Sequence, residues 1–131
     1  MEDSFKIEII SPEKIIFSDE AKMVILPSYE GDMSILKNHI SIITVLRPGI
    51  IKVQKNDGNF KEFFVQDGTV EYFNDGLVVL SASAISVQDL SKEFVDNLNE
   101  DTQDKLTDKD ITDHERYVLH HKLDVLKEIQ V

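Results

Sequence analysis

The sequence predicts an α+β protein: an N-terminal antiparallel β-sandwich over residues 1–86, followed by a C-terminal two-helix hairpin over residues 87–131. Three observations predict it. In the first part, apolar and polar residues alternate in short runs separated by Gly, Asn and Asp clusters, the pattern of strands joined by tight turns. Four of the five glycines lie between Gly49 and Gly76, and Pro12, Pro27 and Pro48 all precede Ser86. The remainder has neither Gly nor Pro, and its apolar residues recur at helical spacing.

Phe5, Ile7 and Ile9 alternate with Lys6 and Glu8, which gives a first strand with one wet face. Lys14–Ser18 gives a second short strand, and Ala21–Leu26 a third that Pro27 stops. Ile40–Leu46 is rich in β-branched residues and ends at Arg47-Pro48-Gly49. Ile50–Lys55 and Phe60–Gln66 flank Asn56-Asp57-Gly58-Asn59. Thr69–Phe73 and Leu77–Ser81 flank Asn74-Asp75-Gly76. Both are hairpin signals, because Asn, Asp and Gly accept positive φ. Eight or nine strands so spaced predict an antiparallel sandwich or barrel. A parallel sheet is disfavoured, since no helical crossover separates the strands.

Leu90, Phe94, Val95 and Leu98 predict a first helix from Asp89 to about Lys105, with Ser86 and Asp89 as an approximate capping box. Asn97, Asn99, Glu100, Asp101, Thr102, Gln103 and Asp104 thin its apolar face. Thr107–Asp110 reads as a connection. The second helix is expected over about 112–130, with Asp113 and Glu115 at its N-terminal end, Lys127 in its last turn, and Leu119, Leu123 and Leu126 in one stripe. Two such helices are marginal alone, so they should pack on each other, on the sandwich or on a partner.

Composition narrows the function. Apolar residues make up 41% of the 131 residues, enough for a core, and no apolar run is long enough to span a bilayer. The acidic start, Met1-Glu2-Asp3, is unlike a signal peptide or mitochondrial presequence, so the protein is expected to stay where it is made. Cysteine is absent, which excludes disulfides and thiolate chemistry. The net charge of −11 disfavours nucleic acid and anionic lipid as partners. The tail is the denser half, with 6 Lys/Arg against 12 Asp/Glu, while residues 1–86 hold 8 against 13.

Sites for chemistry are missing. Glu30-Gly31-Asp32 is no phosphate loop: it has one glycine and no following Gly-Lys-Ser/Thr. His120 and His121 are adjacent helical positions pointing about 100° apart, so they cannot clamp one metal. His114 and His121 share a face two turns apart and read as solvated residues. His39 sits in a polar loop, and Asp67 and Glu71 would lie about 13 Å apart along a strand, too far for paired acid–base work. Neither a cofactor, a metal nor a catalytic residue is expected.

Ordered motifs carry a resemblance. Glu30-Gly31-Asp32-Met33-Ser34-Ile35-Leu36-Lys37-Asn38-His39, followed by Leu46-Arg47-Pro48-Gly49, resembles the signature of the epsilon subunit family of bacterial F-type ATP synthases. Ile9-Ile10-Ser11-Pro12-Glu13 with Phe17-Ser18, Phe64–Gly68, and Leu77–Ala82 with Ala84-Ile85 resemble that family's opening, its strand-to-Gly-Gly turn and the end of its sandwich. The resemblance covers residues 5–90. It implies a non-catalytic central-stalk (rotor) subunit that links the gamma subunit to the c-ring and couples proton flow to ATP synthesis. Such a subunit is peripheral to the cytoplasmic face of the bacterial inner membrane. Glu30, Gly31 and Asp32 are then expected to face the c-ring, and Ser11, His39 and Thr44 the gamma subunit. The tail could reach the alpha/beta catalytic head and regulate ATP hydrolysis. Nucleotide-binding members carry an acid and an arginine where this chain has Leu90-Ser91-Lys92-Glu93-Phe94-Val95, so no nucleotide site is expected. The residues alone leave open a stand-alone β-sandwich that binds a ligand or acts as an adaptor.

Overall fold

A computed structural model describes residues 3–129. Among the described residues, nine strands precede two α-helices. They are β1 (Phe5–Ile10), β2 (Ile15–Ser28), β3 (Gly31–Leu36), β4 (Ile42–Leu46), β5 (Gly49–Lys55), β6 (Phe60–Val65), β7 (Gly68–Phe73), β8 (Gly76–Leu80) and β9 (Ile85–Ser86). The helices are α1 (Lys92–Leu106) and α2 (Asp113–Glu128). Met1 and Glu2 of the acidic start, and Gln130 at the expected end of the second helix, lie outside the described residues.

The strands form a sandwich in which β2 belongs to both layers. One layer runs β4-β7-β8-β1 and ends on the first half of β2; the other runs β3-β2-β5-β6-β9. Residues 15–28 thus make one long strand, where the sequence predicts two with an end at Pro27. Asp19 and Glu20 look like a break because they are the exposed midpoint of the crossing. The register shifts between Ala21 and Met23, where β2 leaves β1 for β5. Such a bulge bends and twists a strand, which is what the crossing requires. Pro27 is tolerated one residue from the strand end, paired with Asp32 of β3.

Two further expectations change. β3 lies in a segment for which the sequence predicts no strand; its Ile35 is buried and Met33 half-buried, while Asp32, Ser34 and Leu36 are exposed. β4 begins at Ile42, later than Ile40. The disfavoured parallel arrangement also occurs once: β1 and β8 run parallel from Lys6 opposite Gly76 to Ile10 opposite Leu80. The sandwich brings these distant strands together at its seam, so no local crossover helix is needed.

The inner faces meet in one core built from Phe5, Ile7, Ile9, Leu26, Ile51, Phe63, Tyr72 and Val79 among others. Phe17 packs on Phe63 with ring centroids 5.0 Å apart, and Phe5 meets Tyr72 edge-on at 5.6 Å. The hairpin signals are realised. Asn74 and Asp75, the two residues between Phe73 and Gly76, have φ of 54° and 59°, the backbone of a primed two-residue turn. Gly49 is needed for closeness: a Cβ there would lie 2.4 Å from the Cβ of Pro27.

The tail folds back on the sandwich. Ser86 does not cap a helix: it ends β9, and Val87–Asp89 form a single 3-10 turn. The helix starts later because Ser91 supplies the cap, its hydroxyl accepting from the Phe94 amide at 3.0 Å. α2 begins with a full capping box. The Thr112 hydroxyl accepts from the Glu115 amide at 3.0 Å, and the Glu115 carboxylate accepts from the Thr112 amide at 2.8 Å. Thr102, read as a polar interruption of α1, is fully buried. Its hydroxyl is satisfied by donating to the Leu98 carbonyl at 2.7 Å. A second apolar cluster joins Phe64 of β6 to Leu90, Val95, Val125 and Leu126 of the tail. Neighbouring Phe63 and Phe64 are therefore both buried, one facing the sandwich core and the other the helices.

Candidate interaction surfaces

The turn Tyr29-Glu30 joins β2 to β3, and Gly31 opens β3 at φ 117°, a conformation glycine favours. Glu30 and Asp32 are exposed at this tip. The Asp32 carboxylate accepts from the Arg47 guanidinium at 2.8 Å, and Arg47 also donates to the Pro48 carbonyl. The tip meets α2 through aromatic contacts. Tyr29 stacks on His114 at 5.5 Å and on Tyr117 at 5.8 Å, while Tyr117 meets His121 at 4.4 Å. The Tyr117 hydroxyl donates to the Tyr29 carbonyl at 3.4 Å. Glu30, Gly31 and Asp32 are thus brought together and sit beside the docked tail.

Ser11, His39 and Thr44 are not brought together. Ser11 is buried in the turn after β1, its hydroxyl donating to the Lys14 carbonyl at 3.1 Å. His39 lies beyond the other end of the same layer, its Nδ1 2.7 Å from the Ile40 carbonyl and its ring edge-on to Tyr72 at 5.8 Å. Nearby, Asp75 accepts from the Tyr72 hydroxyl and the Asn38 amide. Burial foremost, then this bond, pushes the Tyr72 phenol up to about 12. Thr44 is half-buried and shares a hydrogen bond of 3.1 Å with the Ser28 hydroxyl.

The outer face of that layer is the surface that sequence reasoning missed. Ile43 of β4 is 78% exposed and Phe73 of β7 is 65% exposed. Val45 and Leu80 are each at least half exposed. Cross-strand pairing links them: Val45 lies opposite Thr69, and Thr69 opposite Leu80. The signal was present in Ile42-Ile43-Thr44-Val45, which has no charged residue on its outward positions. Grouped exposed apolar side chains of this kind mark contact surfaces.

The chain matches the family model for the ATP synthase, Delta/Epsilon chain, beta-sandwich domain over residues 4–87. It is 42% identical over 128 residues to the ATP synthase epsilon chain of Pelagibacter ubique, covering 97% of this chain and 98% of that one. The chain belongs to the ATP synthase epsilon chain family. It is also 34% identical to the epsilon chain of Parvibaculum lavamentivorans, covering 99% of this chain and 98% of the relative. The same fold occurs in a chain of the Euglena gracilis mitochondrial ATP synthase, with a TM-score of 0.73 at 15% identity, covering 95% of this chain and 78% of that one. A chain of the Tetrahymena thermophila mitochondrial enzyme has a TM-score of 0.58 at 12% identity, covering 94% and 93%.

In this epsilon-family chain the contact between tip and tail is expected to depend on pH through His121. Partial burial foremost, then the Arg47 guanidinium, pushes His121 below the ordinary imidazole range; His120 acts the same way, while Asp124 and Asp32 oppose. A depressed imidazole pKa means that the docked form resists protonation more than the undocked form does. Stability from this contact is therefore complete above the ordinary imidazole pKa, about 6.5, and falls as pH drops through the folded value. Tail docking, followed by proteolysis in the Thr107–Thr112 connection, is expected to weaken between pH 7.5 and 5.5. In His121→Asn that slope flattens.

Proposed function

We propose that this chain is a non-catalytic central-stalk subunit of a bacterial ATP synthase, held between the gamma subunit and the c-ring. It has no catalytic site of its own and couples proton flow to ATP synthesis by transmitting rotation. The observation that carries the reading is the exposed apolar face at Ile43, Val45, Phe73 and Leu80, on a chain of this family. A stand-alone binder would gain nothing from such a face, whereas a subunit that must grip a neighbour needs one. The stiffness of a close-packed sandwich suits it to carrying torque. Division at Ser86 into a rotor sandwich and a helical tail belongs to the same proposal, as does a peripheral position on the cytoplasmic face of the inner membrane.

In this reading Glu30 and Asp32 meet basic groups on the polar loops of the c-ring, with Gly31 giving the tip its turn. His39 flanks the apolar face that meets gamma, while Ser11 and Thr44 shape that layer from within. Asp32→Lys tests the ring contact. The Asp32 side chain is 69% exposed but its partner Arg47 only 14%; losing a hydrogen bond between charged groups costs about 1.5–3 kcal/mol, less than the whole stability of a domain, so the fold is expected to stand. Binding to an isolated c-ring with gamma bound is expected to weaken roughly tenfold at low salt, and the difference from the wild type is expected to shrink at high salt. Unchanged binding would remove the ring-facing role from this tip. ATP hydrolysis by the assembled head, measured with the full chain and with one ending at Ser86, tests regulation by the tail; equal rates would remove that role.

A further inference from the structure

A groove of about 660 Å³ opens where the first residues of β2 part from β9. Its floor is apolar, with Phe17, Phe63 and Ala84, and Lys14, Lys55, Lys61 and Asp89 stand around it. Three cations against one anion is a local reversal in a chain of net charge −11. Lys61 lies 5.8 Å from the Phe63 ring centroid and donates to Gln88 at 3.3 Å. Lys55 reaches Asp19 only at 3.9 Å, and Lys14 has no ion pair among the described residues.

Both walls of the groove are strand edges. Ile15–Ala21 pairs with β1 along one side, and no described strand covers its other side before Ala21 meets Lys55. β9 pairs with β6 alone and ends its layer. Ser86, which lines the groove, carries the buried side-chain hydroxyl that lacks a partner among the described residues. Ile15 is an apolar side chain left 58% exposed on the opposite wall. An open edge is a template for strand addition, in which backbone hydrogen bonds supply affinity and alternate side chains supply specificity.

We propose that this groove binds an extended acidic peptide segment of a partner protein, added as a strand along these edges. Its apolar side chains turn to the floor at the half-buried Phe17, and its alternate carboxylates meet Lys14, Lys55 and Lys61. A lipid would satisfy the charge and the floor but would leave the backbone edges unmatched, so a peptide fits better.

The test uses the full chain and a fluorescein-labelled peptide alternating glutamate and valine. Binding is read by anisotropy, and its place by backbone amide NMR shifts. Binding is expected to shift the amides of Ile15–Phe17 and Ile85–Ser86 and to weaken with salt. It is expected to weaken roughly tenfold or more in Lys14→Glu/Lys61→Glu, and to stay unchanged in Lys109→Glu, a reversal in the α1–α2 connection. No binding up to about 1 mM, equal binding of a lysine–valine peptide, shifts confined to other surfaces, or binding of phosphatidylglycerol vesicles in place of the peptide would overturn the proposal. Native amide spectra of the variants separate lost binding from lost folding.

Discussion

Phe64→Ala is expected to release the helical tail while the sandwich stays folded, whereas Phe63→Ala is expected to undermine the sandwich itself. The two rings are chain neighbours and both are fully buried, but they serve different cores. Phe64 is the sandwich's buried anchor in the cluster with Leu90, Val95, Val125 and Leu126. Truncating a buried Phe costs about 3–5 kcal/mol. Two helices of this length are marginal alone, so a loss of that size shifts the docked tail towards release by roughly a hundredfold or more. Faster proteolysis in the Thr107–Thr112 connection, with the sandwich amide spectrum retained, is the expected readout. Phe63 packs on Phe17 between the layers. The same loss there falls on a domain whose whole stability is about 5–15 kcal/mol, so Tm is expected to drop by more than about 10 °C. If both variants lowered Tm equally and left proteolysis unchanged, the two-core account would be wrong.

Ile43→Asp/Phe73→Asp is expected to abolish capture by gamma without unfolding the chain. Both side chains already stand largely in water, so exchanging them for carboxylates disturbs little within the fold. In an interface the effect reverses. Each new carboxylate would be desolvated against an apolar partner, and central anchors commonly carry 2 kcal/mol or more each, so the pair is expected to weaken binding by roughly a thousandfold. Glu71 lies opposite Ile43, which places a further like charge beside the first carboxylate. Gamma binding by titration calorimetry and thermal unfolding of the free variant together check the claim. Wild-type affinity in a folded variant would show that gamma meets some other face.

These outcomes bear on what a sequence can disclose. Alternation at Phe5, Ile7 and Ile9, and the Asn-Asp turn before Gly76, are local signals, and the strands they predict are present. The helical tail was legible for the same reason: Thr112 and Glu115 make their capping box within one turn. Long-range events were not legible. A strand that changes partner midway shows only its polar midpoint, so β2 looked like two strands. Ser86 had the spacing of a cap, but pairing of Ile85 and Ser86 with β6 drew it into the sheet, and Ser91 took the role. Parallel pairing of β1 with β8 joins residues too distant for any window to link. Among the candidate contact residues, the tip at Glu30 and Asp32 was visible as a motif. For the apolar face the one signal, the lack of charge in Ile42–Val45, does not separate it from core, because Ile43 and Val45 look like core until the layer shows which side they occupy.

Mixing the purified chain with the gamma subunit of the same ATP synthase, and weighing the products by light scattering after gel filtration, tests the central claim most directly. A one-to-one complex that forms at micromolar concentration and is missing for Ile43→Asp/Phe73→Asp is the predicted result. A wild-type chain that elutes as a lone monomer beside free gamma would contradict the stalk assignment.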